Sequence, residues 1–301
     1  MCADTSRSAP APNPVTRVGI VARAGLTEAA PVVRDVVDWL TERDIIPVVE
    51  RGTAKLADLT SVPTADATVL PEAVDLMLIL GGDGTLLSMA RRIAAVDADP
   101  PILAINFGGL GFLTEITLPE LYGALASAIE GTTGIDHRRM LRSHMLRGDE
   151  VRNKELVLND VVITKSALSG ILDLSVSVGD QFVARFRADG LIIATPTGST
   201  AYALSVGGPI LHPLLPAILF APVCPHSLGQ RPLVLDDSSH IKIDIVDLAG
   251  ASANVFVDGI HRIAVAETDV LTVRRADVAT RMIRINSHNH YTALRSKLGW
   301  G

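Results

Sequence analysis

The hydrophobic period of this chain changes near residue 136, and that change limits the fold more than any single motif does. Ahead of it, short apolar runs alternate with stretches of helical spacing. RVGIVAR, IPVVE, residues 74–80 and PILAIN (101–106) have the near-continuous apolar character of strands buried on both faces. Between them Val32, Val33, Val36, Val37 and Leu40 recur at helical spacing within 27–43, with Thr27 as the candidate N-cap. Residues 85–95 and 118–131 read as further helices, the second closed by Gly131. Such alternation predicts a parallel sheet flanked by helices. Beyond residue 136 the period is two. LDLSVSV (172–178) alternates strictly, Gly179-Asp180 turns the chain into QFVARF, IKIDIV (241–246) alternates again, and VFVDGIHRIAV folds back at Asp258-Gly259. The expectation is an α/β domain over 17–136 and a β-rich, sandwich-like domain of hairpins over 137–285. A Pro, Ala and Ser-rich tail, 1–16, is expected to be disordered. In the last segment, 286–301, Tyr291, Leu294 and Leu298 share a helical face.

With 301 residues, 48% of them hydrophobic, the chain can bury a substantial core. A formal net charge of −6 and the lack of any Lys/Arg run argue against nucleic acid, whose phosphates require clustered cations. Two cysteines, Cys2 and Cys224, lack metal-type spacing, which fits a reducing cytoplasm better than a disulfide framework. The start, MCADTSRSAPAPNP, has no apolar signal-peptide core, and no apolar run approaches the ~18 residues that span a bilayer. A cytoplasmic protein with no membrane partner is expected. His288 and His290 in SHNHY read as surface residues, and no metal-ligating set is expected.

In VDLMLILGGDGTLLSMA (74–90), a buried strand runs into two glycines, Asp83 and a third glycine. The turn reads either as a tight strand–helix connection or as a place where backbone N–H groups meet an anion. It is not a dinucleotide fingerprint, because Leu87 stands where a third glycine or alanine belongs, and no Gly-Lys-Ser/Thr follows to make a P-loop. In RADGLIIATPTGSTAYALSVGGPILHP (187–213), Thr195, Thr197, Ser199 and Thr200 follow an apolar strand and precede a helical turn at 201–206. Hydroxyls and free N–H groups there suit a sugar, amide or phosphate, or else a self-capping loop. Asp189-Gly190 and Asp258-Gly259 read as hairpin turns. Arg91-Arg92 reads as a solvated face or as within reach of a phosphate, and Arg138, Arg139 and Arg142 share the two readings.

GGDGT, INFGGLGFLTEI (105–116), Asn159-Asp160 in LVLNDVVI and DGLIIATPTGSTAYALSVGGPI together resemble the NAD kinases, as do APVCPHSLGQRPLVL (221–235) and the LRSKLGW ending. GGDGT alone is also similar to loops of lipid kinases and phosphofructokinases; TPTGSTAY at its distance from Asn159 is more specific. The resemblance spans about 17–300. It implies a Rossmann-like nucleotide domain, a β-rich domain holding much of the NAD site, and a C-terminal helix returning to the first domain. It further implies phosphoryl transfer from ATP, or polyphosphate, to the 2′-hydroxyl of the adenosine ribose of NAD. The catalytic acid falls on Asp83 and a backbone contact on Gly84. Substrate contacts fall on Asn159, Asp160, Arg187, Asp189, Thr200, Ala201, Tyr202, Ser205 and Asp258. A divalent cation, Mg²⁺, is expected, held mainly through donor phosphates, together with a homodimer or homotetramer whose NAD sites a neighbouring subunit completes. The chain departs from the family at Asp160, where Glu is usual, at Ile260, where Gln is common, and at Gly170, where some relatives are basic.

These residues also make chemical sense. The phosphoryl-transfer transition state is loose, so a protein mostly positions groups and neutralises charge. Glycines around Asp83 let N–H groups approach donor phosphates. A carboxylate there is tolerable if it faces the attacking hydroxyl, orients it and takes its proton late. A lipid kinase sharing GGDGT would leave TPTGSTAY unexplained, and a dinucleotide sensor without transfer would favour an altered acid, whereas Asp83 is intact.

Overall fold

The computed structural model describes residues 14–96, 98–108, 111–166, 170–250, 252–285 and 290–300. Most of the expected tail, Cys2 and His288 lie outside these residues.

The first half runs β1 (Arg17–Ala22), α1 (Ala29–Thr41), β2 (Ile46–Glu50), α2 (Arg51–Leu56), β3 (Thr64–Ala65), β4 (Leu76–Gly81), α3 (Asp83–Ala94), β5 (Ile102–Asn106), β6 (Ile116–Thr117) and α4 (Leu121–Ile129). Strands then take over: β7 (Gly134–Arg147), β8 (Glu150–Val157), β9 (Asp160–Lys165), β10 (Leu172–Val178), β11 (Gln181–Ala188) and β12 (Gly190–Ala194). After the short α5 (Tyr202–Ser205) come β13 (Ala217–Val223), β14 (Leu233–Asp236), β15 (Ile241–Asp247), β16 (Ala253–Val257), β17 (His261–Val265), β18 (Asp269–Arg284) and α6 (His290–Leu298).

Among the described residues these strands make two sheets. In the first half the order is β3-β2-β1-β4-β5, every pair parallel. The chain winds one way from β1 and the other way from β4, so the order reverses between these two strands. All six residues of β4 are buried, since helices cover both faces. One face packs Ile20 and Leu78 under α1 and α4; the other packs Met77 and Ile79 under α3. The same sheet continues past β5, where Met282 of β18 pairs in parallel with Ile102, and runs on through β15 and β10 to β11. Along nearly its whole length β18 also pairs with β7.

The second sheet, β14-β13-β12-β9-β16-β17, is antiparallel throughout. Its inward residues Ile163, Ile193, Phe220 and Val255 share a core with Leu174, Val176, Ile243 and Ile245 of the large sheet. Inward and outward positions alternate along β10, the physical basis of the period-two pattern. An α/β half, a β-rich half and a terminal helix are the class that the sequence predicts.

Local details differ from expectation. α1 begins at Ala29 behind Glu28, with no side-chain cap from Thr27. The helix after β4 starts at Asp83 itself. Asp189-Gly190 is no hairpin turn, because β11 lies in the large sheet and β12 in the small one. Arg91 is not solvated: it pairs with Glu155 of β8 at 2.8 Å, both side chains largely covered. Arg138 pairs with Asp136 at 3.1 Å, Arg139 with Asp237 at 2.7 Å and Arg142 with Asp277 at 3.6 Å, so all three serve structural ion pairs. On α6, Ala293 and Leu294 are buried whereas Tyr291 is exposed.

Candidate active site

The turn after β4 is shaped by what it excludes. A Cβ on Gly81 would stand 2.7 Å from the Thr85 hydroxyl, whereas Gly82 and Gly84 face open space with no heavy atom within 4 Å. Gly82 is the N-cap of α3 and supplies no side-chain partner, so the first N–H groups of this helix carry no side-chain cap. Asp83, at that N-terminus, reaches across to the loop after β5. Its Oδ2 accepts from the Phe112 N–H at 3.0 Å, and its Oδ1 accepts from Leu113 N–H, Thr114 N–H and the Thr114 hydroxyl at 3.3, 3.1 and 2.9 Å. The loop is held in turn by Asn106, at the end of β5, whose side-chain amide donates to the Thr114 carbonyl at 3.1 Å. Gly111 is obligatory there, because a Cβ would lie 2.0 Å from Asp83 Oδ1. Phe112, Thr114 and Asn106 were not singled out from the sequence, although INFGGLGFLTEI contains them.

A second cluster forms where β9, β12 and β16 end together. A pocket of ≈ 410 Å³ is lined by Asn159, Asp160, Ala201, Tyr202 and Asp258, with Val162 and Phe256 as apolar walls. Asp258 has φ +49° at the β16–β17 turn, which aims its carboxylate back at β9. There it accepts from the N–H groups of Leu158, Asn159 and Asp160 at 3.1, 2.7 and 3.2 Å. Both acids are buried. Burial, and then the neighbouring Asp258 charge, push Asp160 up to about 7, against a backbone hydrogen bond from Tyr202. Burial also raises Asp258, opposed by its three N–H donors and by Arg91 on α3. Asn159 Oδ1 is buried with no partner in the protein. Ile260, exposed, follows Gly259 of the lining.

The TPTGSTAY segment supports this pocket from behind. Gly198 lies so close to β9 that a Cβ would stand 2.1 Å from the Asn159 carbonyl oxygen. Thr195 is spent internally, its hydroxyl donating to the Leu158 carbonyl and accepting from the Gly198 N–H. Ser199 is spent likewise, on Pro196 and Leu211. Of the two readings of this segment, the self-capping loop describes these two hydroxyls. Thr200, half-buried, bonds the Thr197 carbonyl; Tyr202 is exposed where it lines the pocket, and Ser205 is exposed outside the lining.

The two clusters adjoin through α3, since Leu87 and Ala90 of this helix share a core with Leu158, next to Asn159. Arg91 was missed as a site residue: its pair with Glu155 ties α3 to β8, and its charge reaches Asp258. Asp189 and Arg187 do not themselves line the pocket. Gly190 and Ala194 mark opposite ends of β12, about 13 Å apart at strand rise, but the pocket lining extends along β9 to Thr164, whose hydroxyl donates to the Asp189 carbonyl at 3.3 Å, while the Asp189 carboxylate pairs with Lys165 at 2.7 Å. Arg187 is exposed on β11, in the other sheet. Among the described residues no group of three or more His, Cys, Asp or Glu could hold a metal ion.

Residues 18–133 match the ATP-NAD kinase N-terminal domain, and 158–285 match the ATP-NAD kinase C-terminal domain. An NAD kinase of Syntrophotalea carbinolica is 43% identical over 95% of this chain and 99% of its own, and one of Citrifermentans bemidjiense is 40% identical over the same shares. Among solved structures, yeast NADH kinase complexed with NADH superposes with a TM-score of 0.89 at 28% identity, covering 96% of this chain and 89% of its own. An Archaeoglobus fulgidus NAD kinase in complex with ATP shares the fold, with a TM-score of 0.73 at 23% identity over 93% and 99% of the two chains.

Proposed function

The chain belongs to the ATP-NAD kinase family, and from that membership we infer that it phosphorylates the 2′-hydroxyl of the adenosine ribose of NAD with ATP, giving NADP. The observation that carries the reading is the adjacency of Asp83 at an open glycine turn to a pocket lined by Asn159, Asp160, Tyr202 and Asp258. We assign the pocket to the acceptor. Its apolar walls suit an adenine, the unpartnered Asn159 Oδ1 suits a ribose hydroxyl, and Ala201 lines it beside Tyr202. We assign Gly82, Asp83 and Gly84 to the phosphoryl end, where N–H groups without a side-chain cap and the absence of side chains admit an anion.

In this reading the 2′-oxygen attacks the γ-phosphorus, the bond to the β-phosphate oxygen breaks, and ADP leaves. Asp83 orients the hydroxyl and takes its proton late. Four donors on its carboxylate fix its position, and a loose transition state asks mostly for positioning. Magnesium enters as the Mg–ATP complex and offsets the donor charge that an acid-lined site would repel. Asp189 borders the Thr164 end of the pocket, whereas Arg187, exposed on β11 and outside the lining, suits use in a neighbouring subunit of a homodimer or homotetramer. The test is direct: full-length protein with NAD and Mg–ATP should form NADP, read by an NADP-specific dehydrogenase, and excess chelator should abolish it. No NADP from any phosphoryl donor would leave a dinucleotide sensor as the better reading.

A further inference from the structure

Asp83, Leu87 and Arg91 stand four residues apart along α3, on one stripe of the helix, so a line of side chains about 12 Å long leads away from the glycine turn. In its middle Leu87 and Ala90 share a core with Leu158. At its far end the Arg91 guanidinium meets Glu155 of β8 at 2.8 Å, with only 13% and 15% of the two side chains exposed. Leu158 completes the connection, because its N–H is one of the three that donate to the Asp258 carboxylate. The helix that begins with Asp83 and the segment 155–160 that carries Asn159 and Asp160 are thus joined at Leu87, Ala90 and Arg91.

Packing alone does not call for a cation here. A covered ion pair adds little stability over an apolar pair of the same shape, since both charges give up water. What the region does hold is a surplus of acid. Asp258 is faced by Arg91 from α3, by Asp160 from β9 and, behind Arg91, by Glu155 from β8. Both pocket acids are buried, and Arg91 bears on one of them. Burial raises Asp258, and its three N–H donors and the Arg91 charge work against that rise. For Asp160, burial and the Asp258 charge are opposed by a Tyr202 N–H and not by a cation. Arg91 Nε is buried with no hydrogen-bond partner among the described residues, so Glu155 does not use up the guanidinium. The location of the charge matters to the backbone, because an ionised carboxylate accepts about twice as strongly as a neutral group, and three N–H groups converge on Asp258.

We propose that Arg91 is a positioning residue of the acceptor site: its guanidinium confines the charge of the acid pair to Asp258, whose carboxylate then pins the Leu158–Asp160 backbone and so presents Asn159 and Asp160 to the dinucleotide. The proposal rests on the assignment of this pocket to NAD and adds the group that keeps it in order. Arg91 lies outside the pocket lining and works through Asp258.

The experiment compares full-length wild type with Arg91→Met, Arg91→Lys and Glu155→Gln. NAD binding is followed by calorimetry from pH 5.5 to pH 8.5, beside kcat, the KM for NAD and urea melts. Arg91→Met keeps the length and loses the charge, so Asp258 takes up its proton at higher pH. The acid limb of NAD affinity should move up by about one pH unit or more, the usual effect of removing an adjacent opposite charge. Affinity should then fall about tenfold at pH 6 and stay within about threefold of wild type at pH 8.5, with the KM for NAD moving more than kcat. Arg91→Lys keeps the charge and should keep the limb. Glu155→Gln breaks the tie to β8 but leaves the cation, so it should unfold at lower urea without moving the limb upward. A loss in Arg91→Met that is equal at every pH, or a limb moved as far by Glu155→Gln, would overturn the proposal and leave Arg91 as a structural tie. If the wild type binds NAD but forms no NADP, the kinase reading falls, yet the calorimetric profiles still decide the role of Arg91. A wild type that binds no NAD would overturn the pocket assignment and the proposal with it.

Discussion

Asp160 is 4% exposed and sits beside a second buried carboxylate, so its proton has consequences for folding. Asp258 takes three backbone N–H groups and is the better placed of the two to hold charge, which leaves Asp160 as the acid raised to about 7. An unfolded Asp titrates near ~4. Between those values the folded protein keeps a proton that the unfolded chain releases. Stability from this residue is therefore fully present below about pH 4, falls as pH rises to about 7 and is level above. Asp160→Asn removes that slope, and at pH 8 the variant should be more stable than the wild type by roughly 2–4 kcal/mol. Urea titrations from pH 4 to pH 8 check this; parallel curves for the two proteins would contradict it. Asp160, one methylene shorter than Glu, still lines the pocket.

At the scale of elements, the close approach of the TPTGSTAY turn to β9 makes a sharper test. Gly198→Ala would drive a Cβ into the Asn159 backbone, a contact that no rotamer change relieves, so the variant should lose NAD binding and unfold at lower urea. Gly84→Ala meets nothing and should keep both, and if the glycine turn receives phosphates it should lose turnover. Calorimetry with NAD and urea melts separate the two outcomes. What could be read beforehand follows the range of the interactions. Periodicity is local, so the buried strands, the hairpin at Gly179-Asp180 and the β16–β17 return were legible in the sequence. The clamp of Phe112–Thr114 on Asp83 joins positions about thirty apart, and the Arg91–Glu155 pair positions 64 apart, so no spacing announced either. Asp189-Gly190 has hairpin composition, but its flanking strands were claimed by different sheets, a choice made by packing. Asn159, Asp160 and Asp258 could be matched to a family; that they converge on one pocket with Tyr202 needed the two sheets in place.

For the whole molecule, the large sheet ends at β11, an edge strand that exposes Phe182 and Val183. Exposed apolar edge strands favour pairing with another copy. Light scattering of the full-length protein at micromolar concentration should give a dimer or tetramer, and Phe182→Glu should lower the mass and raise the KM for NAD. A fully active monomer would contradict this. No helix among the described residues is long and apolar enough to cross a membrane. The account as a whole turns on Asp83, and its most direct measurement pairs turnover with NAD affinity in Asp83→Asn. The substitution removes the charge and the base but leaves an oxygen for Thr114. Turnover should fall by about 10²–10⁴, the range for a general base, with the NAD dissociation constant within a few-fold of wild type. Near-normal turnover, or NAD affinity lost in proportion to activity, would contradict the account.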